Sequence, residues 1–552
     1  MMKRGIFFVF LMTAISPLVF SQAIGIFDGQ VSIGDDNGQG SATFANGVYD
    51  VVGSGNDLWG SADGCYFVYK EVTGSFLITG EVNWEKGGPR DGDEWKKAGF
   101  MARDSVGFED DPGSPHATGI IIRSQGSNLE KRTDYTGRSD DIAVQEKRAD
   151  ETNVIQLMRV GDTFTMLRQV TDGTFRVIGS IDIPMPTTIL VGLVVTSHNT
   201  STTERAFFSG VTLQLLGVPV IVTRTIPQYK VEAGGSVTGI SLGLSVETGK
   251  TTDATVTEKV PAGFTVSNVK ASVGTTSVSG DGVITWTVPG ATGADAKLTY
   301  DISAPISAVG VLAFSGNAKS GSDIYSGGGD WQLTAVPPKS NGYGVFTTSE
   351  DLYESETAEG DAGYDPNTGT YVVIGAGNDI WGSADNFHYL YREVSGKVSL
   401  KADCLLYEGD GHTEWAKIGP MVRDDADSWS AHGMSMIRTW GRDFGPQWRD
   451  IYAGTSGNNE SLNVPGGTAA GQQTGTVEIT RDGTKIGFYY YDAASGQRVE
   501  TLVHDVGDMV DPIYVGFAVT SHRAGYYSTG VFKNVVLAID GKTVPIDEWS
   551  LY

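Results

Sequence analysis

The chain of 552 residues carries 74 glycines and a formal charge of −26, with hydrophobic residues at 40 %, aromatics at 10 % and charged residues at 19 %. That length argues for several domains, the apolar share excludes wholesale disorder, and the acidic excess excludes a general nucleic-acid binder. Two cysteines exclude a disulfide scaffold, a cysteine-rich zinc domain and an iron–sulfur protein. Glycine together with abundant Val, Thr, Tyr and Trp predicts strands joined by tight turns.

Residues 1–23 read as a cleaved signal peptide. Lys3 and Arg4 precede the apolar stretch Ile6–Phe20, and Ser21-Gln22-Ala23 fits the small-x-small cleavage rule. An apolar stretch of about 15 residues falls short of the ~20 that a spanning helix needs. The longest later apolar run is Ile189–Val195, so membrane insertion is not expected. The expectation is a secreted or cell-surface protein.

Two copies of one unit follow, at 24–217 and 341–552. Tyr49–Gly74 matches Tyr371–Gly396 without a gap, with 15 of 26 positions identical. The match continues through EWKKAGFMARD (Glu94–Asp104) against EWAKIGPMVRD (Glu414–Asp424), SPH (Ser114–His116) against SAH (Ser430–His432), and VGLVVTSH (Val191–His198) against VGFAVTSH (Val515–His522). Such a long period excludes a solenoid of short repeats. Between the copies, 218–336 alternates apolar and polar residues with turn signals at short intervals, the pattern of a β-sandwich spacer. Residues 337–340 (Pro-Pro-Lys-Ser) read as a linker.

Read as a strand, Trp95–Arg103 separates into two faces. Lys96, Ala98, Phe100 and Ala102 drift to Ala416, Ile418, Pro420 and Val422 in the second copy, as core positions do. Trp95, Lys97, Gly99, Met101 and Arg103 recur as Trp415, Lys417, Gly419, Met421 and Arg423 without change. His116 and His432 follow on the next strand. A face held constant while its opposite drifts has two explanations: a ligand surface, or an internal polar network in which Trp packs and Arg and His pair inside the protein.

The loops GNDLWGSAD (Gly55–Asp63) and GNDIWGSAD (Gly377–Asp385) offer Asp57, Asp63, Asp379 and Asp385 as oxygen donors for Ca²⁺. Turn chemistry, with Trp59 as a core plug, is the preferred reading. No other cofactor is expected. Cys65 and Cys404 read as two separate buried thiols. Ser197-His198 and Ser521-His522 sit on neighbouring strand positions facing opposite ways, which does not make a dyad. Gly239-Ile-Ser-Leu-Gly243 has no helix pattern behind it and makes no nucleophile elbow.

Taken together, these motifs resemble a bacterial domain of the concanavalin A-like lectin/glucanase superfamily, present twice. The phrase TEKVPAGF (Thr257–Phe264) with GVITW (Gly282–Trp286) resembles an immunoglobulin-like repeat of bacterial surface proteins. The resemblance implies an all-β chain: two jelly-roll sandwiches flanking an immunoglobulin-like sandwich. It also implies a concave face that holds glycan, which places Trp95, Lys97, Arg103 and His116, with Trp415, Lys417, Arg423 and His432, as candidate ligand contacts. The E-x-D-x-x-E pattern of the superfamily's glucanases occurs in neither copy. The reading is therefore a non-catalytic binder of polysaccharide or glycoconjugate, with no nucleic-acid partner and an open oligomeric state. The alternatives are an adhesive surface protein with protein partners, or a polysaccharide hydrolase with an unrecognised site.

Overall fold

The computed structural model describes residues 24–546 except 37, 86–94, 106–112, 123–125, 136, 146–150, 172, 247–248, 293–295, 322, 354–357, 409–414, 439–442, 460–463, 466–472 and 493–494. The proposed signal peptide, Glu94 and Glu414 lie outside the described residues. The protein is all-β. Two three-residue 3₁₀ turns are the helical elements among the described residues, and the pairing is antiparallel apart from two short parallel contacts in the middle unit.

The first copy builds two facing seven-stranded sheets. One has the order Gly29–Ile33, Cys65–Thr73, Thr188–Thr196, Lys97–Arg103, His116–Ile122, Ser127–Arg132, Asp140–Gln145. The other has the order Ser41–Ala45, Val48–Gly55, Asn199–Leu215, Phe76–Trp84, Glu151–Val160, Thr163–Val170, Phe175–Asp182. The second copy repeats this order. Its first sheet runs from the edge strand Thr348–Leu352 through Phe387–Val394, Ile513–Thr520 and Lys417–Arg423 to His432–Arg438 and Asp443–Arg449. Sequence period translates directly into packing: Phe76–Trp84 alternates strictly between buried and half-buried, which puts Phe76, Ile78, Val82 and Trp84 in the core between the sheets. Ala98, Phe100 and Ala102 join them there, as the drifting parity predicts.

The opposite face of that strand departs from a half-buried pattern. All seven residues of Lys97–Arg103 are buried, and so are all seven of Lys417–Arg423. A second layer covers the outer face of this sheet. Leu58 and Ile380, from the two GNDxWGSAD loops, are 0 % exposed and pack with Met101 and Met421 respectively. Gly99 and Gly419 are kept for space, because a Cβ would lie 2.1 Å from the carbonyl oxygen of Gly119 in one copy and of Ser435 in the other.

The middle unit packs a sheet ordered Thr265–Ala271, Ala296–Ser303, Ser236–Val246, Val220–Thr225 and Gly328–Gly329 against one ordered Thr275–Val278, Val283–Thr292, Thr251–Lys259, Ser315–Ser320 and Asp323–Ser326. Trp286 is fully buried between them, its indole N–H donating to Val273 O at 2.8 Å. Ser241 lies inside the strand Ser236–Val246, with no elbow around it.

Both outer units are docked onto the middle one. Met158, Val160 and Leu167 of the first copy belong to the same core as Leu242 and Trp286, and the Arg176 guanidinium lies 4.5 Å over the Trp331 ring. On the other side Tyr229 stacks on Tyr527 at 5.0 Å, and Lys230 and Lys339 both pair with Asp361. The segment expected to be a linker is part of this packing: Val336 and Pro337 are buried, and a Cβ at Gly363 would lie 2.4 Å from Pro337 O. Cys65 and Cys404 are free, buried thiols in different copies.

Candidate functional site

The two motifs that recur are halves of one construction. Each GNDxWGSAD loop folds over the outer face of the sheet and places its two aspartates on the residues held constant there. Asp57 first closes its own turn, accepting the Leu58 N–H at 2.7 Å, and Asp379 does the same with Ile380 at 2.7 Å. Lys97 Nζ then reaches Asp57 Oδ1 at 2.7 Å, and Lys417 Nζ reaches Asp379 Oδ1 at 2.6 Å.

At the other end of the loop, Asp63 and Asp385 are buried beneath paired guanidinium groups. Arg103 donates to Asp63 Oδ2, while Arg132 donates to Oδ1 at 2.6 Å and to Oδ2 at 2.8 Å. In the second copy Arg423 donates to Asp385 Oδ2 at 2.7 Å, and Arg449 adds bonds of 2.5 and 2.8 Å. The strand register sets Arg103, His116 and Arg132 side by side, and Arg423, His432 and Arg449 likewise. Burial works against the charge on Asp63, but His116, Arg103 and Arg132 outweigh it and hold the carboxyl well below the usual range. Asp385 is held low in the same way by His432, Arg423 and Arg449. Burial in turn depresses both imidazoles, His432 to about 3, with the neighbouring arginines adding to the effect.

These contacts correct most of the expected glycan face. Arg103, His116, Arg423 and His432 are each 0 % exposed, so their donors serve an internal network and none is presented to a ligand. Lys97 and Lys417 are each 3 % exposed and spend their ammonium groups on carboxylates. The same geometry bears on the Ca²⁺ candidates: Asp63 and Asp385 already face two guanidinium groups apiece, and Asp57 and Asp379 an ammonium. Among the described residues no cluster of three or more His, Cys, Asp or Glu is arranged to hold a metal ion.

What remains at the surface is a lip of aromatic rings. Trp59 and Trp381 are each 39 % exposed, which corrects the core-plug reading; Leu58 and Ile380 are the plugs. The lysine ammoniums lie 5.6 and 5.4 Å from the two ring centroids. Trp95 and Trp415 are half-buried. His198 and His522, also half-buried, reach Asp57 Oδ2 and Asp379 Oδ2 at 3.5 and 3.4 Å, and the His522 ring is 6.4 Å from Trp415. Both histidines have positive φ, 58° and 56°, because they sit in the turn after the strand, not within it. Ser197 and Ser521 bond backbone carbonyls there instead of the imidazoles.

The copies differ around the lysine. Glu130 in the first copy and Gln447 in the second occupy equivalent register positions. Glu130 Oε1 is 2.6 Å from Lys97 Nζ, and burial pushes its carboxyl up to about 8 against the pull of Lys97. Gln447 instead donates to Ile380 O at 2.6 Å. Sequence reasoning missed Arg132, Arg449, Glu130 and Gln447, which lie outside the blocks of identity. It had the signal for His198 and His522 in the repeated VTSH but assigned it to a strand.

No family model matches the chain, and no curated protein matches it. Solved structures do align. A functionally unknown protein from Saccharomyces cerevisiae aligns over 97 % of its length and 34 % of this chain, at 15 % identity and a TM-score of 0.27. The lectin UEA-II complexed with galactose aligns over 98 % of its length and 35 % of this chain, at 8 % identity and a TM-score of 0.21. A xylan β-1,4-xylosidase from Bacillus halodurans aligns over 98 % of its length and 91 % of this chain, at 10 % identity and a TM-score of 0.23. At such TM-scores no substrate or residue role is carried over. The expectation that the chain is not an enzyme is nonetheless corrected: the structures that span nine-tenths of it include a glycosidase, and absence of catalysis forms no part of the reading below.

Proposed function

We propose that each repeat is a concanavalin A-like jelly roll that holds polysaccharide at its Trp-lined lip, and that the protein acts outside the cell. The observation that carries this reading is the pair Trp59 and Trp381, equally exposed at 39 % in both copies and each backed by a lysine fixed on a carboxylate. Hydrophobic burial does not explain a large ring kept at the surface twice, whereas an aromatic face is the complement of the apolar face of a sugar ring. Trp95, Trp415, His198 and His522 supply neighbouring apolar surface and donors. The buried Asp–Arg pairs beneath fix the loop that carries the ring. The test is retention of the intact protein by immobilised polysaccharides, compared with Trp59→Ala and Trp381→Ala.

A further inference from the structure

The second copy carries a hydrogen-bonded chain of side chains that the first lacks. Ser349 Oγ lies 2.8 Å from His388 Nε2, and His388 Nδ1 lies 2.6 Å from Asp351 Oδ1. Ser349 and Asp351 are two apart on the strand Thr348–Leu352 and so share a face. The register places Asp351 opposite His388 and Ser349 opposite Leu390. At the equivalent positions the first copy has Gln30, Ser32 and Tyr66, with the Tyr66 hydroxyl donating to Gln30 Oε1 at 2.7 Å. All three positions have changed together.

Proton positions follow from the partners. The Gly360 N–H is 3.1 Å from both Asp351 oxygens. Burial works against the Asp351 charge, but His388, Gly360 and Tyr353 hold its carboxyl below the usual range. A carboxylate only accepts, so His388 Nδ1 carries the proton, and in the neutral ring Nε2 accepts from the Ser349 hydroxyl. Gly360 keeps the pair intact, since a Cβ there would lie 2.3 Å from His388 Nδ1 and 2.6 Å from Asp351 Oδ1. The His388 side chain is 4 % exposed and Asp351 22 %, while Ser349 is half-buried. Ser349 stands on a strand that, among the described residues, pairs on one side only, and an edge strand is where backbone N–H groups outside the ladder are available to an oxyanion.

We propose that Ser349, His388 and Asp351 form a hydrolytic triad that cleaves carboxylic esters. Ser349 is the nucleophile, His388 the general base and then acid, and Asp351 the positioning residue. Ser349 Oγ bonds to the ester carbonyl carbon as its proton passes to His388 Nε2. The tetrahedral adduct collapses, the bond to the alcohol oxygen breaks, and the alcohol leaves with that proton. Water then attacks the acyl-serine by the same route, releasing the carboxylic acid and restoring Ser349. The inference stands apart from the glycan reading, because the two sites share no residue.

The test treats the intact protein with a fluorophosphonate, which phosphonylates an activated serine with loss of fluoride, and maps the adduct by mass spectrometry; p-nitrophenyl acetate hydrolysis is followed in parallel. The expected result is an adduct at Ser349 and hydrolysis, both abolished in Ser349→Ala at an unchanged melting temperature. Asp351→Asn should slow both by roughly 10⁴-fold, as loss of the orienting carboxylate does in a serine triad. Absence of labelling in the folded wild type, or hydrolysis that persists in folded Ser349→Ala, overturns the proposal.

Discussion

Asp63 and Arg103 belong to different motifs, 40 residues apart in the chain, and form one fully buried ion pair; Asp385 and Arg423 repeat it at 2.7 Å. The pairing explains why loop and strand are kept together. A change in either motif strands a charge in the interior. Breaking a buried pair by removing one partner costs about 3–5 kcal/mol. Asp63→Asn and Asp385→Asn should therefore each lower stability to denaturant by that order. A loss below about 1 kcal/mol would contradict the network described here.

The same network sets a pH dependence. His432 titrates near 3 when folded and near ~6.5 when unfolded, so between those values the unfolded chain binds the extra proton and stability falls as pH falls. His116 is depressed in the same direction. Asp63 and Asp385 are held low, so their contribution is present above about pH 4 and drains away below it. Acid unfolding followed by tryptophan fluorescence should start near pH 6 and steepen below 4, and His432→Gln should flatten the first part. A profile for His432→Gln that matches the wild type above pH 4 would refute this assignment.

Glu130 works in the opposite direction. Its folded carboxyl titrates near 8, above the unfolded value of about 4.3. Its stabilising contribution is complete below about pH 4 and is lost as pH rises towards 8. Glu130→Gln, which copies Gln447 of the second repeat, should raise stability at pH 8 relative to pH 5. A variant that loses stability equally at both pH values would contradict a protonated Glu130.

The period-two pattern of Trp95–Arg103 was legible and correctly separated core from constant face, since Ala98, Phe100 and Ala102 meet the opposing sheet. What covers the constant face was not legible, because alternation reports which way a side chain points and says nothing of a loop laid over it from 40 residues away. Arg132 and Arg449 complete the network from strands whose flanking sequence has diverged, so comparing the copies concealed them. The Ser349–His388–Asp351 chain was not legible for a related reason: it exists in one copy alone, so the repeat does not mark it.

Residues 337–340 read as a linker in sequence; in the structure Pro337 is buried and the units on either side are joined through Tyr229, Lys230 and Asp361. Limited proteolysis of the intact protein should spare 337–341. Tyr229→Ala, which removes the stack on Tyr527 at 5.0 Å and the bond to the Thr529 hydroxyl at 3.2 Å, should open that region to cleavage. Early cutting at 337–341 in the wild type would show that the docking is not maintained.

The measurement closest to the central claim is binding of the intact protein and of the Trp59→Ala/Trp381→Ala variant to an array of neutral and uronate-bearing polysaccharides, with melting temperatures recorded for both. Two sites on one chain reinforce each other when both engage, and losing a ring face at each should weaken binding at least tenfold per site, about 1.4 kcal/mol. The account predicts that the wild type binds at least one polymer and that the double variant loses that binding while melting within a few degrees of the wild type, since both rings are partly exposed. Undiminished binding by the folded double variant, or no polymer bound by the wild type, would contradict it.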